Sequence, residues 1–391
     1  MRRRKKSKMC SGPDVEISSL DEKFAVRLLE DILRIYSPSG EEGELSVYLK
    51  EKLSALNFKN VLIDDAGNVL GDAGEGKPLT LFIGHIDTVP NFLPVKVLDG
   101  RVYGRGAVDA KSSMAAMILA AAMWIKDEGE GAVKVCCLVD EEGKGRGIQK
   151  LLEGPIDADY AIFGEPSGIR NITIGYRGHV GVNLTVRTNP AHLSIGVKEF
   201  NAIELAIDLW EDVKKVFSKM RYPKKSVFHN FTTSIAKIEG GEWGNVAPQS
   251  CRLDLDIRVP PELKCEEVID PLNHVISKFN EKHGKASTSM EVRFRVEPLL
   301  LSKCSPVVRA LSRSILKALG KPVNFVKKSG TGDMNVFVSK LGIPAATYGP
   351  GNSKLSHTLN EYVEVDEYVK SIIVYRNAIN ELISIKDEAK N

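Results

Sequence analysis

Glutamine is almost missing from this chain: its 391 residues contain Gln149 and Gln249 and no other. Depletion of a thermolabile side chain is consistent with a heat-adapted source. Paired cysteines are lacking as well. The six cysteines (Cys10, Cys136, Cys137, Cys251, Cys265 and Cys304) show no Cys-x-x-Cys spacing, and two are adjacent inside an apolar run. That pattern argues against a disulfide framework and for reduced, mostly buried thiols in a reducing compartment. No apolar run reaches the roughly 20 residues that a bilayer-spanning helix needs. The longest, Met114 to Ile125, is alanine-rich and reads as a buried helix. A secretory signal is lacking too, because the basic start Met1 to Lys8 has no apolar core or small-residue cleavage site. A cytoplasmic location without membrane attachment is therefore expected.

Six of the 54 basic residues (Arg2, Arg3, Arg4, Lys5, Lys6 and Lys8) precede any fold signal, so the body of the chain, with 51 acidic residues, is slightly acidic despite a formal charge of +3. Residues 1–15 read as a disordered basic tail, and the balance gives no reason to expect a nucleic-acid partner. The length suits two domains, and 43% hydrophobic content is ordinary for a globular protein.

Helical spacing of Phe24, Leu28, Leu29, Ile32 and Leu33 predicts a helix over Leu20 to Tyr36, followed by the turn Ser37-Pro38-Ser39-Gly40. A second helix is expected from Glu42 to Leu56. Strand-like runs follow at Val61 to Asp64, Thr80 to Gly84, Val133 to Val139 and Tyr160 to Phe163. With the Met114 to Ile125 helix among them, the alternation predicts an α/β sheet covered on both faces. After Tyr176 the order becomes β-α-β-β-α-β: Val180 to Arg187, Glu199 to Phe217, Thr232 to Glu239, Cys251 to Val259, Glu262 to Phe279 and Ser287 to Val296. This is the ferredoxin-like split unit, read as an insertion into the first domain. Signals at Val307 to Leu319, Ala345 to Tyr348 and Val365 to Ile385 predict that the chain then completes that first domain.

The residues suited to chemistry fall at the ends of these strands. His85 and Asp87 follow Leu81-Phe82-Ile83-Gly84, and in open α/β sheets ligands bind at the carboxyl ends of strands. Asp87 is spaced to hold the second ring nitrogen of a ligating His85. Asp109 lies among glycines just before the long apolar helix, where it would serve as a helix cap or as a bridge between two cations. Asp140, Glu141 and Glu142 follow the next apolar strand, and adjacent carboxylates are costly to bury without cations. Glu165 ends a fourth strand, and His357 follows the glycine-rich Tyr348-Gly349-Pro350-Gly351-Asn352. Singly, each has an ordinary structural explanation. Together, two imidazoles and three carboxylates suit zinc, with a shared carboxylate making a two-metal site.

The runs Gly84-His85-Ile86-Asp87-Thr88-Val89-Pro90, Gly104-Arg105-Gly106-Ala107-Val108-Asp109-Ala110-Lys111, Asp140-Glu141-Glu142 and Gly164-Glu165-Pro166-Ser167 closely resemble the dinuclear zinc aminoacylase and carboxypeptidase family. The resemblance runs from about Leu20 to the C-terminus. It implies a zinc-peptidase-like catalytic domain, residues 16–176 and 298–391, with a central mixed sheet flanked by helices. Residues 177–297 would be an inserted α+β dimerisation or lid domain. It also implies two Zn2+ per subunit, for which Co2+ or Mn2+ can substitute. One would be held by His85, Asp109 and Glu165, the other by Asp109, Glu142 and His357. By the same resemblance Asp87 orients His85, Glu141 is the general base, and His192 steadies the oxyanion from the other subunit of a homodimer. Asn245, Arg258 and the loop containing Gly330 and Thr331 would bind substrate.

Within that family, Gly175-Tyr176-Arg177-Gly178, Lys327 to Asn335 and Ala346 to Ser353 look most like the hydrolases that release lysine or ornithine from an amino-group carrier protein in amino-acid biosynthesis. An acidic carrier partner is then expected, with Arg177, Lys327, Lys328 and the basic loop Gly143-Lys144-Gly145-Arg146-Gly147 as docking candidates. Small-molecule deacylases and dipeptidases of the same family share the metal chemistry and are the alternative.

Overall fold

A computed structural model describes residues 21–126, 130–192, 194, 196, 198–220 and 226–388. The basic tail and Cys10 lie outside them. The chain opens with two helices, α1 (Glu22–Arg34) and α2 (Gly43–Ala55), then strands β1 (Lys59–Ile63), β2 (Val69–Glu75) and β3 (Leu79–His85). The side chain of Asp21 accepts from the backbone N–H of Lys23 and caps α1. A hairpin of β4 (Lys96–Leu98) and β5 (Arg101–Tyr103) turns at Asp99-Gly100, both with positive φ, the conformation that a two-residue hairpin turn requires. Helix α3 (Lys111–Lys126), β6 (Gly131–Leu138), α4 (Arg146–Leu151), β7 (Tyr160–Gly164) and β8 (Asn171–Tyr176) follow.

Next comes a separate unit: β9 (Gly178–Thr188), α5 (Ala202–Lys219), β10 (Thr232–Gly240), β11 (Ser250–Val259), α6 (Glu266–Lys282) and β12 (Ala286–Val296). Its four strands pair antiparallel in the order β10-β11-β9-β12, the arrangement of the split β-α-β-β-α-β unit. Val180, Val182, Leu184 and Val186 alternate inward and pack with Leu205, Leu209, Leu253, Leu255 and Leu272 in a core of the unit's own. The chain then returns through β13 (Leu299–Leu300), α7 (Pro306–Leu319), β14 (Asn324–Lys328), α8 (Asp333–Leu341), β15 (Ala345–Tyr348), β16 (Tyr362–Glu364) and α9 (Val365–Glu388).

The central sheet is mixed, ordered β1-β2-β6-β3-β7-β15-β8-β13, with β14 also pairing to β8. Strands β6, β3, β7 and β15 run parallel and are almost continuously apolar, as strands covered on both faces must be. Helices α1, α2, α3, α7 and α9 contribute to the core on one face, and α4 and α8 to the other. Helix α3 is buried from Lys111 to Trp124 because its alanines let neighbouring helices approach closely. Trp124 Nε1 donates to Asn380 Oδ1 on α9 at 3.1 Å. The thiols of Cys136, Cys137, Cys251 and Cys265 are free and buried, and burial pushes that of Cys136 up to about 12.

The sequence pattern leaves several elements unforeseen. Strand β2 (Val-Leu-Gly-Asp-Ala-Gly-Glu) is poor in β-branched residues, and tertiary pairing to β6 forms it. Strands β8 and β14 sit where the pattern shows only a domain boundary and a loop. Helix α8 begins inside the segment read as a glycine turn. Among the described residues no helix is long and apolar enough to cross a membrane. The packing of α3 is directly testable. Ala116, fully buried, has no room for a larger side chain, and Ala116→Leu should cost about 1–3 kcal/mol in urea unfolding.

Candidate metal centre

Parallel strands place their carboxyl ends along one edge, and three of the four deliver site residues there. His85 is the last residue of β3, Glu142 lies just past β6, and Glu165 immediately follows β7. Beyond β15 the chain passes Gly349, where an added Cβ would stand 2.6 Å from the carbonyl oxygen of Glu165. Glycine is therefore the residue that lets this loop lie against Glu165 and carry His357 back to the site. His357 itself has φ 64, a left-handed conformation uncommon outside glycine.

The five candidate ligands form two groups that share one residue. His85, Asp109 and Glu165 present ligand atoms within 4.8 Å of one another, and so do Asp109, Glu142 and His357. Asp109 divides its oxygens between them: Oδ1 is 3.4 Å from His85 Nε2, and Oδ2 is 3.4 Å from His357 Nε2. Glu165 Oε1 lies 3.5 Å from His85 Nε2, and Glu142 Oε1 lies 2.6 Å from His357 Nε2. A third grouping, His85 with Glu141 and Glu142, falls in the same range.

The three consecutive acids after β6 diverge. Asp140 turns away and accepts from Arg146 Nε at 2.9 Å, Glu141 lines a small cavity with Tyr176 and Asp333, and Glu142 meets His357. Asp87, wholly buried, organises the other two. Its Oδ1 accepts from the backbone N–H of Glu141 and its Oδ2 from that of Glu142, each at 3.0 Å. His85 Nδ1 donates to the Asp87 carbonyl at 3.0 Å, which turns Nε2 to the cluster.

Sequence reasoning missed the supports that come from far along the chain. Ser39 Oγ donates to Asp87 Oδ2 at 2.7 Å, brought there by a bridge between Pro38 and Thr88. Glu361 is almost fully buried, and its Oε1 accepts from the backbone N–H groups of Gly106, Val108 and Asp109 while Oε2 takes Arg105 Nη1 at 2.6 Å. That carboxylate fixes the loop carrying Asp109. Lys111 is spent in the interior, donating to the carbonyls of Ile32 and Ile35.

The electrostatics fit cations. Burial and then repulsion from Asp109 raise Glu142 above its ordinary value. Burial raises Glu165 too, against the pull of Lys328. Glu141 is raised well above its usual value by burial, with Glu165, Asp333 and Glu142 adding to the effect against His85. Burial brings Asp333 to about 7. Asp109 is held far below its ordinary value, since the imidazoles of His357 and His85 outweigh its burial. His357 is raised to about 9 by its hydrogen bond to Asp109, against some burial and with the help of Glu142. Five acidic groups crowd two imidazoles, and imidazole nitrogens with carboxylate oxygens are a donor set for zinc-like ions.

The remaining candidates do not join this cluster. His192 is exposed on the inserted unit, bridged to Val246 and hydrogen-bonded to Ser194 Oγ at 2.7 Å. Asn245, the residue before Val246, is exposed. Arg258 on β11 makes a two-point contact with Asp256, both bonds 2.9 Å. Gly330 and Thr331 lie in the turn before α8, and the next residue, Gly332, borders Tyr176 and Glu141. Arg177 corrects the docking expectation: it is buried, donating to the carbonyls of Ser329 and Asn230 and to Thr232 Oγ1, so its charge is not offered to a partner. Arg146 is half spent as well, on Asp140. Because the Asp87 carboxylate holds both glutamate amides and has Oδ1 3.4 Å from His85 Nδ1, Asp87→Ala should weaken metal binding about 10- to 100-fold, read by competition with a chromogenic chelator.

The model for peptidase family M20/M25/M40 matches residues 81–381. The chain is 33% identical over 356 residues to the LysW-lysine/LysW-ornithine hydrolase of Sulfurisphaera tokodaii, covering 91% of this chain and 94% of that protein. A like-named hydrolase from Saccharolobus solfataricus is 33% identical over 359 residues, 92% of this chain and 96% of its own. Aminopeptidase PepT from Bacillus cereus superposes with a TM-score of 0.76 at 21% identity, over 93% of this chain and 99% of that one. An M20 family metallo-carboxypeptidase from Sulfolobus solfataricus gives 0.71 at 21% identity, over 93% and 99%. These two share the mixed sheet flanked by helices. Matched from β3 into α9, and a third identical to named relatives over more than nine-tenths of its length, the chain belongs to peptidase family M20/M25/M40.

Proposed function

We propose that this protein is a two-zinc amide hydrolase that releases lysine or ornithine from an amino-group carrier protein. The observation that carries the chemistry is the pair of ligand groups sharing Asp109, with Glu141 beside them. The substrate reading is supported by the relatives named as LysW-lysine/LysW-ornithine hydrolases along nearly the whole chain. His85, Asp109 and Glu165 would hold one Zn2+, and Asp109, Glu142 and His357 the other. Bound cations would polarise the amide carbonyl and make a water molecule more acidic.

The chain's own groups supply the proton handling. Glu141, raised by burial and by neighbouring acids, accepts the proton of the attacking water and returns it to the departing amine. Asp87 holds the Glu141 amide, so this carboxylate enters the reaction already oriented. The four-stranded unit is assigned as a dimerisation and lid domain whose exposed His192 completes a neighbouring subunit's site by donating to the oxyanion. Free cysteines buried in the core support a reducing, cytoplasmic setting.

The test is release of free amino acid from carrier-linked lysine, carrier-linked ornithine, acetyl-lysine, acetylornithine and succinyl-diaminopimelate by zinc-loaded protein. Carrier-linked substrates should be turned over fastest. Faster turnover of acetylated amino acids would replace the carrier reading with the small-molecule deacylase one. Glu141→Ala should lower kcat about 10²- to 10⁴-fold while zinc content, measured by atomic emission, stays at two per chain. Full activity of that variant would remove Glu141 from the mechanism. His192→Ala should lower kcat with little change in KM, and a mixed dimer with a Glu141→Ala chain should recover part of the activity if His192 acts across subunits.

A further inference from the structure

Glu141 and Glu142 are adjacent, yet both carboxylates reach the ligand cluster, where their ligand atoms and one of His85 lie within 4.8 Å of one another. In an extended chain neighbouring side chains point to opposite faces, so the backbone past β6 has to turn for both to converge. It turns at Asp140, whose φ is 60, a left-handed conformation uncommon outside glycine. Convergence also brings like charges together, and a backbone free to return to the extended form would let Glu141 swing away. A residue in this conformation persists where its surroundings hold it there.

The hold is exerted on the N–H groups that leave the sheet. Val139 donates to Asn68 Oδ1 at 3.1 Å, Asp140 to Glu42 Oε1 at 3.0 Å, and Glu141 and Glu142 to the Asp87 carboxylate, so four successive amides end on side-chain acceptors. Among the described residues Glu42 is the acceptor for the N–H of the left-handed residue itself. It directly precedes α2, is 4% exposed, and takes Gly40 N on the same oxygen at 2.8 Å. Its Oε2 faces Arg146 Nη2 at 3.9 Å, while Arg146 Nε is bound by Asp140 Oδ2. On the other side of the residue, the Asp140 carbonyl accepts from Gly145 N at 2.7 Å. The segment that carries Glu42 is anchored independently, since Ser37 Oγ donates to the Ile86 carbonyl at 2.8 Å and Ser39 Oγ to Asp87.

We propose that Glu42 is a positioning residue for proton transfer: by holding the Asp140 N–H it locks the turn that presents Glu141 to the cluster. Its hydrogen bonds go to Gly40 and Asp140, neither of them a candidate ligand, so it acts through Glu141 and not through the cations. The inference rests on the reading of Glu141 as the general base.

The test is steady-state kinetics of zinc-loaded variants on the substrate of the hydrolysis panel that turns over fastest, with zinc content and Tm measured for each. Glu42→Gln keeps the reach and the acceptor without the charge, whereas Glu42→Asp keeps the charge and draws the acceptor back by one methylene. Glu42→Gln should stay within about threefold of wild type, because a neutral carbonyl still accepts both amides. Glu42→Asp and Glu42→Ala should lose about 10- to 100-fold in kcat with KM and zinc content unchanged, the scale of loss when a catalytic group is misplaced by about 1 Å. Glu42→Asp combined with Glu141→Ala should be no slower than Glu141→Ala alone, since nothing is left to position. Unchanged kcat in Glu42→Asp, a loss in Glu42→Gln as large as in Glu42→Asp, a loss that multiplies with that of Glu141→Ala, or zinc lost in step with kcat would each overturn the proposal. The contrast between Gln and Asp decides it even where Glu42→Ala does not fold. Full activity of Glu141→Ala would end the base reading, and that result is read from a variant in which Glu42 is intact.

Discussion

One carboxylate facing two imidazoles is the constraint around which the part of this protein built on the large mixed sheet is organised. Asp109 offers one oxygen to His85 and the other to His357, residues 248 positions further apart than Asp109 is from the first of them. Two half-sites can share a residue only if its backbone is held still. Glu361 does this by accepting from the amides of Gly106, Val108 and Asp109 and from Arg105, at the cost of burying a second carboxylate. The arrangement concentrates negative charge where desolvation is expensive, which a folded chain tolerates when cations complete the set. With the proposed ligand set, stability and metal binding would be coupled, and the supports of Asp109 would belong to the site as much as the candidate ligands do.

The parallel strands solve the remaining positioning problem. A sheet covered on both faces is rigid, and its carboxyl ends leave side chains at one edge with little freedom to drift. His85, Glu142 and Glu165 inherit that rigidity from β3, β6 and β7. His357 has no strand beneath it, and its left-handed backbone is fixed instead by contacts that begin at Gly349. The groups expected to meet the substrate, His192, Asn245 and Arg258, sit on a unit with a separate core. On the proposed reading, chemistry belongs to the sheet edge and substrate contact to this separately packed unit, a division that would permit closure without disturbing ligand geometry.

How much of this could be read in the residues follows from distance along the chain. His85 and Asp87 are two apart, and Glu141 and Glu142 are adjacent, each at the end of an apolar run, so strand-end placement was visible locally. The split unit is equally plain, because Val180 to Val186 in β9 and Cys251 to Val259 in β11 alternate cleanly, although β10 carries a register shift between Ile235 and Lys237. Ser39 and Glu361 left no local mark: one reaches Asp87 across 48 positions and the other reaches Asp109 across 252. Strand β2 and helix α8 were hidden by glycines that tertiary packing accommodates. Arg177 was misjudged for a different reason, since a pattern of charge cannot show which way a side chain points or which carbonyls await it.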